Sequence, residues 1–598
     1  MKSRAEVYFE MGLLLLPIMV AWLFAPSLAD AFDIKNYLAT LAILILALAY
    51  VSRHKHVTLS LPTGIIGVAF GIWLLAVFVS TILAENTYLA LGELLEIIPF
   101  VILVWCLFSF RDFTVAQKNI ERGIIIAATG VALFGLKQFL FPEFLDPGFH
   151  ALGKMKIYST LGNPNLSALM LLAALPLTAY RFVCERGMRR MLHGGLCLLL
   201  LSGIVVMQSR HALLAVGVMC LVALAWLGPR RQRWMVILGT AIVASLAGVL
   251  MQWVEPSSAL THAVKGRWFI WLTSFTMLSE HPVAGVGLGH FGVQHMAYQG
   301  KLFATEQFNV FFDNAGSIQD AHNEFLHWGA TTGVMGLIGF GLLCFGALWK
   351  GWHSADVREH SPHLYIGLAG YVFAMFFTSV LSSAATALIF WLFLGAVLKR
   401  SAVPCMAWHL QPRTRYVMAM VMAVLLLIGV GWAVRETRAG YDEARGDIAM
   451  AEHDLWRADK HYQNALSWRP ESGALLKKYA TTFFLAERYS DALQQINAAK
   501  RYSSNVGIHI LEGETLARMG NLDAAIVVYQ RIIAAFPGMI TPRFILGQIY
   551  QLQGKQDLAR SQFTKVLEIK PSPFNLNLTK GKVDLQKQIV RYYLGRQS

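Results

Sequence analysis

Three short polar stretches interrupt an apolar chain and hold the residues best suited to chemistry: Gln208-Ser209-Arg210-His211, Lys265-Gly266-Arg267, and Gln319-Asp320-Ala321-His322-Asn323-Glu324. An arginine suits a diphosphate, because its planar fork makes paired charge-assisted hydrogen bonds and stays charged at any working pH. A histidine titrates near neutrality and can take a proton from a hydroxyl, although one at a membrane edge is also a common structural hydrogen-bonder. Arg210, Arg267 and His322 are therefore the candidate catalytic residues, two guanidiniums suited to holding a diphosphate and one histidine suited to moving a proton. Asn323 and Glu324 beside the histidine, and Lys137 with Gln138 at the end of an apolar run, are candidate substrate contacts. Lys137 reads equally as a cation reaching from a helix end to the membrane surface. For this chemistry the stretches must meet within about 15 Å, the reach of one diphosphate and its sugar.

What positions them is a membrane scaffold. Of 598 residues 56% are hydrophobic and 15% charged, and the mean hydropathy is +0.50. Several apolar runs reach the roughly 20 residues that cross a bilayer. About thirteen spans are expected, over 11–28, 37–51, 62–83, 94–110, 122–140, 165–183, 191–207, 211–228, 234–252, 328–349, 362–381, 384–398 and 416–434, with 362–398 open to a re-entrant hairpin or two crossings. The net charge of +15 sits in alternate loops rather than in a compact basic domain, which argues for topology and against nucleic-acid binding. Those basic loops, including Arg181, Arg189, Arg190, Lys399, Arg400 and Arg413, are expected in the cytoplasm. The other side then holds Arg210, the loop 253–325 and everything after Val434. None of the six cysteines lies in these outward regions or has metal-type spacing.

From Arg435 onward the chain turns charged, Ala-rich and repetitive. Gly513, Gly520, Ala525, Tyr529 and Pro537 recur 34 residues later as Gly547, Gly554, Ala559, Phe563 and Pro571. This resembles tetratricopeptide repeats, in which small residues let paired helices approach and an aromatic fills the gap between them. About three and a half repeats are expected over Tyr441 to Pro571, with a closing helix from Thr579 to Leu594. The fold class is therefore all-α: a polytopic domain over 1–434 and a helical repeat solenoid over 435–598. Such solenoids bind protein partners far more often than they catalyse.

Asp320-Ala321-His322-Asn323-Glu324-Phe325-Leu326, followed by Thr332-Gly333-Val334-Met335-Gly336, resembles the signature of the bacterial O-antigen ligase superfamily, which includes O-linked oligosaccharyltransferases and O-antigen polymerases. The likeness extends to Leu161-Gly162-Asn163-Pro164-Asn165, Ser209-Arg210, Arg267 and the run His281 to Gly289. It implies transfer of a glycan from an undecaprenyl diphosphate carrier to a hydroxyl on the periplasmic face of the inner membrane, without a cofactor. The acceptor would be lipid A core, an exported protein or another glycan. The resemblance further implies that His322 acts at the acceptor hydroxyl and that Arg210 and Arg267 hold the diphosphate. One departure is Thr331, which stands where the family commonly has a glutamate.

Other readings fit less well. His322 and His327 are five apart with no glutamate directly after the first, unlike a zinc-protease helix. No Asp-x-Asp pair offers a metal, so a metal-independent reaction is expected. Gly285, Gly287 and Gly289 lie outside any strand-to-helix unit, which favours a tight turn over a nucleotide loop. His290 and His295 read as loop hydrogen-bonders, and Trp268 and Trp271 as a membrane-interface belt or a sugar platform. A membrane-anchored repeat scaffold would need fewer spans, and a transporter more ionisable residues inside them.

Overall fold

The computed structural model describes residues 4–24, 28, 34–53, 58–110, 113–141, 157–227, 257–569 and 580–595. The expected span 234–252 lies outside them. In chain order the helices begin with α1 (Arg4–Trp22), α2 (Ile34–Arg53), α3 (Gly64–Leu83), α4 (Thr87–Ser109) and α5 (Phe113–Leu140). Next come α6 (Pro164–Cys184), α7 (Gly187–Val206), α8 (Arg210–Leu227), α9 (Ser257–Glu280) and α10 (Phe291–Phe303). Then follow α11 (Glu324–His353), α12 (Ala355–His360), α13 (Pro362–Ala374), α14 (Ala384–Arg400) and α15 (Pro412–Ala451). Among the described residues nine helices are long and apolar enough to cross a membrane: α2 to α8, α11 and α15. The chain is a polytopic helical membrane protein.

Two features fix the basic side of the bundle. Strands β1 (Thr58–Pro62) and β2 (Cys405–His409) pair antiparallel, Thr58 opposite His409 and Pro62 opposite Cys405, and so clip two basic-side loops together. Nearby, Glu121 at the start of α5 accepts from Arg181 at 3.2 Å, His363 at 2.8 Å and Gln117 at 2.8 Å, and Arg400 donates to Gln117 at 2.8 Å. Charges at the membrane boundary are tolerated because each meets a partner. This cluster joins α5, α6, α13 and α14 at one level. Because α13 starts there and its end, at Met375, accepts from the Glu324 backbone N–H 2.8 Å away, the short pair α13 and α14 runs across the bundle and back.

The centre is packed by aromatic rings on helices that approach closely. Trp73 of α3 lies 5.3 Å from Trp328, 6.1 Å from Phe340 and 5.5 Å from Trp391, centroid to centroid. A Cβ on Gly339 would stand 2.5 Å from the Trp73 nitrogen, so glycine is what lets α11 lie on α3.

The long segment expected as a loop is mostly helical. Helices α9 and α10 and a 3-10 stretch Glu306–Asn314 stand on the side opposite the β clip. Between α9 and α10 the turn Pro282 to Gly289 plugs into a break in α11. The N–H of Val334 donates to Pro282 at 2.8 Å and that of Val286 to Ala330 at 2.8 Å. Gly333 takes φ of +75° inside the helix and Gly285 +66° in the turn, and added Cβ atoms would lie 2.4 Å from the Val283 oxygen and 2.3 Å from the Thr331 carbonyl carbon. The glycine run is thus a turn, as its setting suggests, and it seats the start of α11.

Helix α15 is 40 residues long, about 60 Å at 1.5 Å per residue, and runs from the bundle into the repeats without interruption. The boundary expected at Val434 falls inside it. The repeats are α15 with α16 (Leu455–Trp468), α17 (Gly473–Leu485) with α18 (Tyr489–Ala499), α19 (Val506–Arg518) with α20 (Leu522–Ala535), and α21 (Ile540–Leu552) with α22 (Gln556–Glu568), closed by α23 (Lys580–Gly595). In three pairs an aromatic of the second helix covers a glycine of the first. Cβ atoms on Gly446, Gly513 and Gly547 would come within 2.5 Å of Tyr462, 2.7 Å of Tyr529 and 2.5 Å of Phe563.

The array docks on the membrane domain. Gln299 of α10 donates to the Ala535 carbonyl at 2.7 Å, Ser504 to the Gly292 carbonyl at 2.6 Å, and the Val506 N–H to Ser317 at 3.2 Å. Met296 and Ala315 join the apolar core of the repeats. Both large polar regions therefore lie on one side of the bundle, whatever the span count.

Candidate active site

His322 has φ of +48°, a left-handed backbone that a non-glycine residue keeps only when held. Asp320 holds it. One oxygen, Oδ1, accepts from the His322 N–H at 2.8 Å and from ring Nδ1 at 2.9 Å. The first bond is an Asx turn that selects the backbone, and the second sets the tautomer with its hydrogen on Nδ1 and the lone pair on Nε2. Ser379 donates to the same oxygen. Burial pushes the Asp320 carboxyl up, but the hydrogen bond and charge of His322, then Ser379 and His327, hold it well below the usual carboxylate range. It stays an anion beneath a half-exposed imidazole.

The two arginines come from other helices. Arg210 opens α8 and Arg267 lies midway along α9. Arg267 is drawn below its usual pKa first by burial and then by the Arg210 charge, and among the described residues it pairs with no carboxylate. His211, next to Arg210, is buried in the neighbourhood of both Arg267 and His322. Three elements remote in sequence thus share one electrostatic neighbourhood.

The remaining candidates fall differently. Asn323 caps α11: its Oδ1 accepts from the Leu326 N–H at 3.0 Å and its amide donates to Phe376 at 3.2 Å. Glu324 is buried, accepts from the Leu381 N–H at 2.6 Å and lines a cavity behind Asp320. Gln138 is buried and accepts from the Ser159 N–H at 2.8 Å, pinning a turn rather than facing the site. Lys137 is exposed on the last turn of α5. Thr331 is buried, with its hydroxyl on the His327 carbonyl at 2.7 Å and its own carbonyl taken by Ser80 at 2.7 Å.

The fate of the two loop histidines divides. His290 accepts through Nε2 from the Asn86 N–H at 2.9 Å and lies 2.8 Å from the Leu288 carbonyl through Nδ1. His295 is buried, and neither ring nitrogen has a partner among the described residues. Burial, then the charge of His322, lowers its pKa to about 4. It is therefore neutral beside the site. Asp320 is the residue that reading the sequence missed, although its place two residues before a histidine is the Asx-turn spacing that could have revealed it.

Residues 195–341, which include Arg210, Arg267 and His322, match the family model described as O-Antigen ligase, and residues 542–573 match Tetratricopeptide repeat. No curated protein matches the chain. Among solved structures, MamA is 20% identical over 25% of this chain and 84% of its own, and YrrB, a TPR protein with an unusual peptide-binding site, 18% over 29% and 83%. Both superpose with a TM-score of 0.22.

Proposed function

We propose that this chain, which carries an O-antigen ligase domain and a tetratricopeptide repeat, transfers a glycan from an undecaprenyl diphosphate carrier to an acceptor hydroxyl at the periplasmic face of the inner membrane. The observation that carries the reading is the Asp320–His322 pair set against Arg210 and Arg267.

In this reading His322 Nε2 takes the proton of the acceptor hydroxyl as its oxygen bonds to the anomeric carbon. The bond from that carbon to the diphosphate breaks on the opposite face, so the anomeric centre inverts. Negative charge gathers on the departing diphosphate, where two fixed guanidiniums stabilise the transition state more than the ground state. The imidazolium formed on His322 is steadied by the Asp320 anion. General-base assistance contributes about 10²- to 10⁴-fold. With both arginines in place the leaving group needs no metal.

The test is turnover of purified protein with lipid-linked glycan extracted from its source membranes, following release of undecaprenyl diphosphate and labelling of the acceptor. His322→Ala should remove most transfer while donor binding persists, and Arg210→Lys or Arg267→Lys should impair both, because a point charge does not reproduce the fork. Activity should survive EDTA. Normal transfer by His322→Ala, or loss in EDTA restored by magnesium, would overturn the reading.

A further inference from the structure

Helix α15 carries a periodicity that its packing leaves unused. Met422, Gly429, Glu436 and Glu443 recur every seven residues, are buried and form its inner face. A Cβ on Gly429 would lie 3.3 Å from Leu41 of α2, and one on Gly446 would lie 2.5 Å from Tyr462 of α16. Two residues before each of the four, about 200° round the helix, stand Met420, Leu427, Val434 and Tyr441, and the same step adds Ile448. All five are exposed, Leu427 at 71%. Interleaved with them, Val417, Val424 and Gly431 are exposed as well, and nothing lies within 4 Å of a Cβ built on Gly431. Alternate steps of three and four along one face make the seam of a coiled coil.

Lipid covers only the inner half of that seam. About 20 residues cross the hydrocarbon core, so a span that begins after Arg415 ends near Arg435. Tyr441 and Ile448 stand beyond it in water, 39% and 56% exposed. Single exposed apolar residues are ordinary, but a stripe that keeps one register through the bilayer and out of it points to a second helix as its cover.

We infer that the cover is α15 of a second copy of this chain, the two helices pairing in parallel. Two copies with one topology pair symmetrically only about an axis along the membrane normal, so each seam residue meets its own counterpart. A stripe that is apolar along most of its length is complementary to itself. Gly431 lets the backbones approach inside the bilayer, where packing drives association, and outside it the pairing takes Tyr441 and Ile448 out of water. Covering the apolar seam of both copies buries roughly 1,400 Å², within the roughly 1,200–2,000 Å² of a stable interface. Arg438 and Arg445 take the interleaved position in the outer half, where Arg445 lies over the Tyr441 ring, 4.9 Å from its centroid. Polar residues at that position cost stability while fixing register and the number of strands. The bundle and the first repeat hold the opposite face of α15, so they flank the pair on its two sides.

The experiment is oxidative cross-linking of the full chain in native membranes. The unaltered chain is the control for its own six cysteines, none of which lies beyond Val434. Tyr441→Cys and Ile448→Cys should each give a product of twice the chain mass, because a disulfide joins only residues whose Cα atoms lie within about 7 Å. Arg560→Cys, exposed on α22 and off the seam, should give at least about tenfold less. Mass photometry of the protein in polymer nanodiscs cut from the membrane should find dimers. Tyr441→Lys with Ile448→Lys should lower the dimer fraction at least about tenfold, by setting like charges against each other across the seam, and should leave the circular dichroism spectrum unchanged because both side chains are exposed. Monomers alone, a cross-linked product of any other mass, equal cross-linking at Arg560→Cys, or a dimer fraction unmoved by the lysines would each overturn the inference.

Discussion

A strained His322 backbone held by two bonds to one Asp320 oxygen makes that aspartate a positioning residue. Asp320→Asn keeps the shape but removes the charge that supports an imidazolium, so kcat should fall by about 10²- to 10⁴-fold while KM for the lipid donor stays put. Asp320→Glu should recover part of the loss, and a parallel change in donor KM would show that the aspartate merely holds the fold. His295 gives a pH prediction. Its folded pKa of about 4 lies below the ordinary 6.5, so the unfolded chain binds a proton that the folded chain refuses as pH drops between those values. Stability therefore falls by roughly 3 kcal/mol as pH drops from about 6.5 to about 4, and above that window the residue adds no pH dependence. His295→Leu should flatten the decline in melting temperature over that window; an unchanged slope would contradict the neutral assignment.

The break in α11 is where local backbone chemistry positions the site. Gly333→Ala would combine φ of +75° with a Cβ 2.4 Å from the Val283 carbonyl oxygen, a backbone contact that cannot swing away. A cost of about 1–3 kcal/mol is expected from strain alone, seen as a lower melting temperature together with lost transfer, because Asp320 and His322 stand just before the same helix. In the array Gly513→Ala drives a Cβ to 2.7 Å from Tyr529. Overpacking of that kind costs about 1–3 kcal/mol, so calorimetry should show the repeat transition shifted down while donor release is unchanged.

The unbroken α15 makes the array an extension of the bundle, held again by hydrogen bonds such as Gln299 to Ala535. One alanine inserted after Ala433 would turn everything beyond it by about 100° and raise it by about 1.5 Å. The repeats should still fold but undock, and transfer to a protein acceptor should drop far more than donor hydrolysis. Equal retention of both would make the docking incidental. Topology is tested by cysteines at Gln307 and Gly520, both exposed and on the same side of the bundle. In cells with a permeable outer membrane a membrane-impermeant maleimide should label both; label at neither would place the array in the cytoplasm.

Much of this architecture was legible in the chain. Apolar runs of bilayer length give helices because a backbone without water must satisfy its own polar groups, and a glycine set against an aromatic at a 34-residue period specifies paired helices wherever they pack. Arg210, Arg267 and His322 stood out on related grounds: polar side chains beside apolar segments are costly to desolvate, and a ligand that pairs with them offsets that cost. The rest depended on distance in space. Gln138, Asn323 and Glu324 have side chains that suit a ligand, yet their partners, Ser159, Phe376 and Leu381, are supplied by segments the sequence does not pair with them. Glu93 lies far from Asp320 in the chain and is drawn beside the same cavity only because α4 packs against the turn at Gly289. Periodicity is a property of neighbours along the chain, whereas the lining of a cavity is set by residues from separate helices that meet only once the fold has closed.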